Sequence, residues 1–387
     1  MRKSHQLIIN LLALGVFGII NTEMGVVSTL STVTKLFGVS LSTAGLLVSG
    51  FALGVAAAGP TMPLLFSKVN RKTAMVISLE VFILGNVVSI FTHSFTVLMV
   101  ARIIPAFFQP VYTATAFSMA ASLVDKGKAQ QAVAQVFIGV SAGMVLGVPI
   151  TNFIVSHYSF AAAMAFFTLV NALVLVMTMF IVPSMPVDNP VSYGDQVRVL
   201  KKPAMWVAIV LVMMFNGSVF GFFSYLADFL ATVTHLSANA VSAVLMVYGL
   251  ANIVGNIIAG RVLSTHPRDL IRLVPVLAFA AYFALFLTGN ITALALIILT
   301  LIGIISGLIN NADQYLINSE ATTAPDFANG LFLTAANLGT TIGTAFCGAM
   351  LSHFNTRFAL VSSLCMLVVS FGLVTIQQKI SSNHVTD

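Results

Sequence analysis

Charge is what this chain has least of. Only 7% of its 387 residues are Asp, Glu, Lys or Arg, against 58% hydrophobic, and the mean hydropathy is +1.02. A soluble domain carries about 25% charged residues, so water is excluded as the solvent for this surface. Cysteine is almost as scarce. Cys347 and Cys365 both sit in apolar runs, which excludes a disulfide scaffold, and no metal-ligand spacing exists. No Gly-x4-Gly-Lys-Ser/Thr stretch occurs, which excludes P-loop ATP chemistry. The short alternating segments of a membrane barrel, ~10 residues each, are also missing. What remains is a series of long apolar runs near the roughly 20 residues that a bilayer-crossing helix needs. Helices satisfy their backbone internally in lipid, so the composition predicts an all-α membrane protein with the lipid bilayer as partner.

Twelve spans are expected, at residues 6–30, 41–66, 73–92, 95–123, 130–156, 160–182, 204–233, 239–263, 271–289, 291–317, 327–352 and 357–377. Arg2 and Lys3 before the first run have the look of a secretory signal, but the run is too long for one and is read as the first span. Residues 183–203 form the longest polar connection. They hold Pro183, Pro186, Asp188, Pro190, Asp195, Arg198, Lys201, Lys202 and Pro203. This segment is expected to be a cytoplasmic linker between six-helix bundles at 1–182 and 204–387. With the N-terminus inside, the inner segments hold fourteen of the seventeen basic residues. These are Arg2, Lys3, Lys68, Arg71, Lys72, Lys126, Lys128, Arg198, Lys201, Lys202, Arg261, Arg268, Arg272 and Lys379. The outer loops hold only Lys35 and Arg357. That bias is the positive-inside pattern; it puts both termini in the cytoplasm and turns the +6 net charge into a topology signal, with no nucleic-acid partner.

One charge breaks the first span. Residues 7–30 carry a single ionisable carboxylate, Glu23. A charge at hydrocarbon depth costs roughly 2.5–3.5 kcal/mol on insertion scales, and residues that carry it usually serve ion pathways, proton relays or substrates. At about 1.5 Å rise per residue, Glu23 lies about 24 Å from the inner end of its span. Arg102, in span four, lies about 10 Å from the outer end by the same rise. Both fall in the outer half of the membrane.

Glycines repeat across the linker. Gly54 and Gly59 are matched by Gly255 and Gly260, and Gly143 and Gly147 by Gly339 and Gly343, at offsets of 201 and 196 residues. Small residues let helices approach closely in lipid, so one such match is ordinary packing. Two matches at nearly one offset favour a tandem repeat, a transporter design.

The motifs then resemble a known group. Asn21-Thr22-Glu23-Met24-Gly25, Ala44-Gly45-Leu46-Leu47-Val48-Ser49, Ala52-Leu53-Gly54-Val55 and Gly59-Pro60 carry the likeness. Ala101-Arg102, Gly147-Val148-Pro149 and Asn337-Leu338-Gly339 continue it. Together they resemble the major facilitator superfamily, in its bacterial drug:proton antiporter branch and the arabinose- and sugar-efflux-like subgroup. The chain departs from that pattern in places. Ser67 stands where the loop between spans two and three usually has Asp, while Arg71 and Lys72 persist. Gln109-Pro110, Asp228 and Asp313 stand where the pattern has other residues.

The resemblance implies two pseudo-symmetric six-helix bundles around a central cavity, a monomer, and no cofactor or metal. It places spans one, four, seven and ten on the cavity. Glu23 is then the expected proton-coupling site, with Arg102 its partner or conformational sensor; the plainer reading is an ion pair that only joins spans one and four. Asp228 and Asp313 are second proton sites, attraction points for cationic substrates, or carboxylates at the water interface. Substrate candidates by family position are Phe107, Phe108, Gln109, Tyr112, Asn216, Phe222, Tyr225, Asn310, Asn311 and Asn337. Gly143, Gly147, Pro149, Arg71 and Lys72 are expected to serve conformational change. Glu80 is expected to hydrogen-bond across a helix pair.

Gly139-Val140-Ser141-Ala142-Gly143 has the Gly-x-Ser-x-Gly form of a hydrolase elbow. It lies in an apolar span with no histidine at its depth, so glycine-rich helix packing is preferred and no enzyme is expected. The expected function is export of small molecules, drugs or lipophilic compounds, in exchange for protons across the inner membrane. The alternatives are a sugar or nucleoside exporter with the same coupling and a gradient-independent facilitator.

Overall fold

Backbone amides in hydrocarbon have no water to bond, so each segment must close its own hydrogen bonds. The computed structural model describes residues 3–187 and 192–383; Arg2, Asp188 and Pro190 lie outside them. Among the described residues every regular element is a helix. The N-terminal part runs α1 (Lys3–Gly25), α2 (Leu30–Phe37), α3 (Leu41–Ala58), α4 (Met62–Phe66), α5 (Arg71–Phe91), α6 (Phe95–Ser122), α7 (Ala129–His157) and α8 (Phe160–Ile181). A short α9 (Tyr193–Val197) follows. The rest is α10 (Pro203–Phe223), α11 (Leu226–Thr232), α12 (Ala238–Thr265), α13 (Pro267–Thr288), α14 (Thr292–Glu320), α15 (Pro325–His353) and α16 (Ala359–Asn383).

Among the described residues eleven helices are long and apolar enough to cross a membrane, and Thr43–Ala58 is a shorter apolar one. Three expected spans are interrupted, each for a local reason. The first turns through a 3-10 segment at Val26–Thr29 into α2, which ends at Gly38 with φ +65, a left-handed conformation that glycine adopts without strain. The second stops at Gly59-Pro60 and resumes as α4, since proline lacks the amide a helix interior needs. The seventh divides at Ser224-Tyr225 into α10 and α11. Starts are set by side-chain caps: Ser40, Asn70, Ser159 and Ser237 each accept a bond from an amide two or three residues on, as N-caps do.

The chain divides into two compact units. One comprises Met1–Tyr193 with Ala324–Thr334, the other Gly194–Thr323 with Ala335–Asp387. The division at Tyr193 falls inside the expected linker. The first ten residues of α15 group with the first unit, where the Ser118 hydroxyl donates to the Asp326 carboxylate.

Three of the four matched glycine pairs play matching parts inside their own units. A Cβ on Gly143 would come within 2.8 Å of Ile20, and one on Gly147 within 2.9 Å of the Asn21 side chain, so α7 lies directly on α1. A Cβ on Gly343 would meet the Gly217 carbonyl at 2.2 Å, so α15 lies as closely on α10. Gly54 faces Ala106 across α3 and α6, and Gly255 faces the Ile304 carbonyl across α12 and α14. Span one on five and two on four are therefore repeated as seven on eleven and eight on ten.

Large apolar side chains cover the outside: Phe180 is 85% exposed, Phe91 73% and Leu53 71%. Trp206, the single tryptophan, is also exposed; its indole donates to the Leu200 carbonyl at 2.8 Å where α10 begins. Glu80 departs from expectation. It is exposed on α5, because the buried face of that helix is taken by Ser78, Leu79, Phe82, Gly85 and Asn86.

Gly139 and Gly45 make a matched test. A Cβ on Gly139 would meet the Ala13 carbonyl at 2.0 Å, whereas Gly45 has open space. Overpacking costs typically 1–3 kcal/mol, and Gly→Ala in an open helix position stabilises by roughly 0.5–1 kcal/mol. Gly139→Ala is therefore expected to lower the melting temperature of the detergent-purified protein, and Gly45→Ala to leave it level or raise it.

Candidate functional site

The polar interior of the first unit is built on the last turns of α1. Asn21 and Thr22 are 0% and 1% exposed, and Glu23 is half-buried beside them. Thr22 donates its hydroxyl to the Gly18 carbonyl at 2.8 Å and accepts from the Asn171 amide at 3.0 Å. Asn171 also donates to the Phe167 carbonyl in its own helix, α8. This ties α8 to α1 at the turn that carries the carboxylate.

α6 supplies the other polar groups. Arg102 is 3% exposed. One guanidinium nitrogen donates to the Thr22 carbonyl at 2.5 Å and another to Asn86 Oδ1 at 3.1 Å. The guanidinium also lies 5.9 Å from the Phe51 ring. The expected direct pair between Arg102 and Glu23 does not form, because the main-chain carbonyl one residue earlier takes the guanidinium. Two helical turns further along α6, Gln109 Nε2 donates to Glu23 Oε2 at 2.8 Å. A neutral amide therefore holds the carboxylate, and the arginine holds the helix that presents it. Pro105 and Pro110 lie in the same stretch of α6, and each removes one backbone bond from the helix. Gly85 fits against the carbonyl of Ala101 there, at 2.4 Å from where a Cβ would be.

Other first-unit candidates are packed. The Tyr112 ring is fully buried, its hydroxyl in the space left by Gly15. Phe108 meets Phe66 edge-on at 6.0 Å, while Phe107 is 38% exposed. Pro149 lies inside α7, two residues beyond the Gly147 contact with Asn21. Arg71 donates to Ser122 Oγ at 3.3 Å and Lys72 to the Met179 carbonyl at 2.7 Å, which fastens the start of α5 to the ends of α6 and α8.

In the second unit, Asp313 is 0% exposed, so it is not a carboxylate at a water interface; Asn216 of α10 donates to it. Asp228 is exposed and accepts from Thr356 at 3.0 Å. Asn311 donates to Asn256 at 2.7 Å, Asn256 to Asn252 at 3.2 Å, and Asn252 to Ser306 at 3.0 Å, a buried amide ladder between α12 and α14. Phe222 is buried edge-on to Phe229 and Tyr282. Tyr225 donates to the Thr344 carbonyl at 3.3 Å. Asn310 is buried and Asn337 half-buried. Tyr112, Phe222 and Asn311 are thus closed to a ligand in this state.

Ser141 is no nucleophile here. It is 3% exposed and donates to the Phe137 carbonyl within α7. Sequence reasoning passed over Asn86 and Asn171, although each is an amide within an otherwise apolar stretch, the signal that marks Glu23.

Truncating Arg102 strands the Thr22 carbonyl and the Asn86 amide oxygen. Each buried group left unsatisfied costs about 1–3 kcal/mol. Arg102→Met is expected to lower the melting temperature clearly, and Glu23→Gln to shift it little, as read by thermal unfolding of the two purified variants.

Comparison with known proteins gives one consistent picture. The profile described as Major Facilitator Superfamily matches residues 12–344. The Escherichia coli (strain K12) inner membrane transport protein YdhP is 26% identical over 92% of this chain and 94% of its own length. A Helicobacter pylori (strain P12) protein named "Probable sugar efflux transporter" is 26% identical over 86% of this chain and 85% of its own. Among solved structures, the transporter FucP in its outward conformation superposes with a TM-score of 0.78 at 14% identity, covering 97% of this chain and 99% of that one.

Proposed function

The chain belongs to the Major Facilitator Superfamily, and from that premise we propose that this multi-pass membrane transporter exports small molecules in exchange for protons. The reading places it in the inner membrane with both termini in the cytoplasm. One observation carries it: the only ionisable carboxylate of α1 is half-buried and held by the amide of Gln109, with no ion pair.

That geometry suits a residue that must gain and lose H⁺. A carboxylate locked to a cation is held ionised, whereas an amide serves both forms. Gln109 now donates Nε2 to Glu23, and its Oε1 has no hydrogen-bond partner. Rotation of the amide would present Oε1 to the O–H of protonated Glu23, which an amide oxygen can accept. Arg102 acts as a positioning residue, fixing the Thr22 carbonyl and hence the direction of the neighbouring carboxylate. Gly143, Gly147 and Pro149 bring α7 against the same turn of α1. Protonation of Glu23 from the outer side favours release of exported substrate, and deprotonation toward the cytoplasm resets binding.

Two substrate classes are in contention. Sugars are favoured by the printed name of the Helicobacter pylori relative. Lipophilic cations are favoured by the half-buried carboxylate of Glu23. Everted membrane vesicles energised by respiration separate them when a pH-sensitive dye reports gradient collapse on addition of a pentose, a hexose or ethidium. The wild type is expected to dissipate the gradient with at least one class. Glu23→Gln is expected to abolish that response, a drop of at least tenfold, while retaining substrate-induced thermal stabilisation. Undiminished gradient-driven transport in Glu23→Gln would remove Glu23 from the mechanism.

A further inference from the structure

We propose that Asp313 is a second proton-binding site of this chain, confined to the second unit and filled in the state described here. Its coupling to transport rests on the proton-driven reading above; the bound proton itself does not.

The inference starts from burial. Asp313 is 0% exposed in the middle of the polar stretch of α14. Asn216, 4% exposed on α10, donates to Oδ2. Oδ1 has no hydrogen-bond partner. An ionised carboxylate buried without a cation is so costly that such groups neutralise instead, so the cations within reach decide the question.

The helices packed most closely on α14 are α10, α12 and α13, while at its end Glu320 takes the Gln377 amide of α16 and, on its carbonyl, the Lys202 ammonium. α10 offers Asn216 and has no ionisable side chain anywhere in Pro203–Phe223. α12 offers Tyr248 and an exposed Arg261. α13 offers Tyr282 and the exposed Arg268, Asp269 and Arg272 in its first turns. α14 adds Tyr315 and Glu320. Among the described residues neither the three arginines nor Lys202 is bonded to Asp313, whose partner is Asn216. The other groups are acids or phenols, which give a carboxylate no positive charge.

A proton answers both features. It removes the charge and puts an O–H on the oxygen that lacks a partner, while Oδ2 keeps the Asn216 amide. The amide ladder through Asn311 and Asn256 belongs to the α12 side of α14, whereas the Asp313 contact is with α10. Loading and unloading would therefore follow the separation of α10 from α14, leaving the ladder intact. Nothing in this arrangement involves Glu23, which belongs to the first unit.

Isotope-edited infrared spectroscopy of the full chain in lipid nanodiscs tests this. Protein labelled with carbon-13 at the aspartate carboxyl is expected to show a protonated-carboxyl band at neutral pH that shifts with the label. Asp313→Asn should remove that band, while Asp228→Asn, Asp326→Asn and Glu23→Gln should keep it. Asn216→Ala should shift its frequency without removing it, and because the label is read in wild-type protein the test survives a variant that misfolds. Absence of a labelled band, its persistence in Asp313→Asn, or its loss on adding sodium ions at constant pH would overturn the proposal. Glu23→Gln that still transports on a pH gradient would sink the Glu23 mechanism and leave this band untouched.

Discussion

Arg102 holding the Thr22 carbonyl is the contact on which the polar interior of the first unit depends. A guanidinium in a membrane helix is costly, and this one is spent on a main-chain oxygen and an amide. The consequence is an order of roles: the cation fixes a backbone position, the backbone position aims Glu23, and a neutral amide from the same helix holds the carboxylate. Had the arginine reached the acid directly, the pair would have been a static clamp. Displacing the cation by one residue leaves the acid next to positive charge without being bonded to it.

Lipid as solvent shapes everything around that contact. With apolar surface on both sides of every helix–lipid boundary, helices associate through close packing and internal hydrogen bonds more than through hydrophobic burial. The glycines at 139, 143, 147, 217, 255, 339 and 343 let backbones meet where a methyl group would collide. The buried amides and hydroxyls then find partners across those contacts. The same logic appears in both units, with Asn171 on Thr22 in one and Asn256, Asn252 and Ser306 in the other.

Much of this was legible in the chain. Apolar run lengths marked the crossing helices, since a bilayer demands a fixed length, and Gly59-Pro60 was visible as punctuation, though not as the break it makes in span two. The glycine pairs foretold matching contacts because spacing along a helix survives folding. Glu23 stood out because charge is so rare here. Partnerships were not legible. Periodicity cannot say whether Arg102 meets a side chain or a carbonyl 80 residues away, and it could not tell that Glu80 lies outward while Asp313 is sealed in. Which face of a helix meets protein depends on neighbours that one apolar sequence, hydrophobic all round, does not specify.

The lone indole at the start of α10 has a practical corollary. Emission excited at the red edge of protein absorption comes from this one fluorophore, seated where the connecting segment joins the second unit and far along the chain from either acid. Its intensity and colour therefore report on that junction alone. With a cargo molecule that neither absorbs nor quenches at these wavelengths, a change in that emission records movement or altered wetting at the junction, free of contributions from the ring-rich interior.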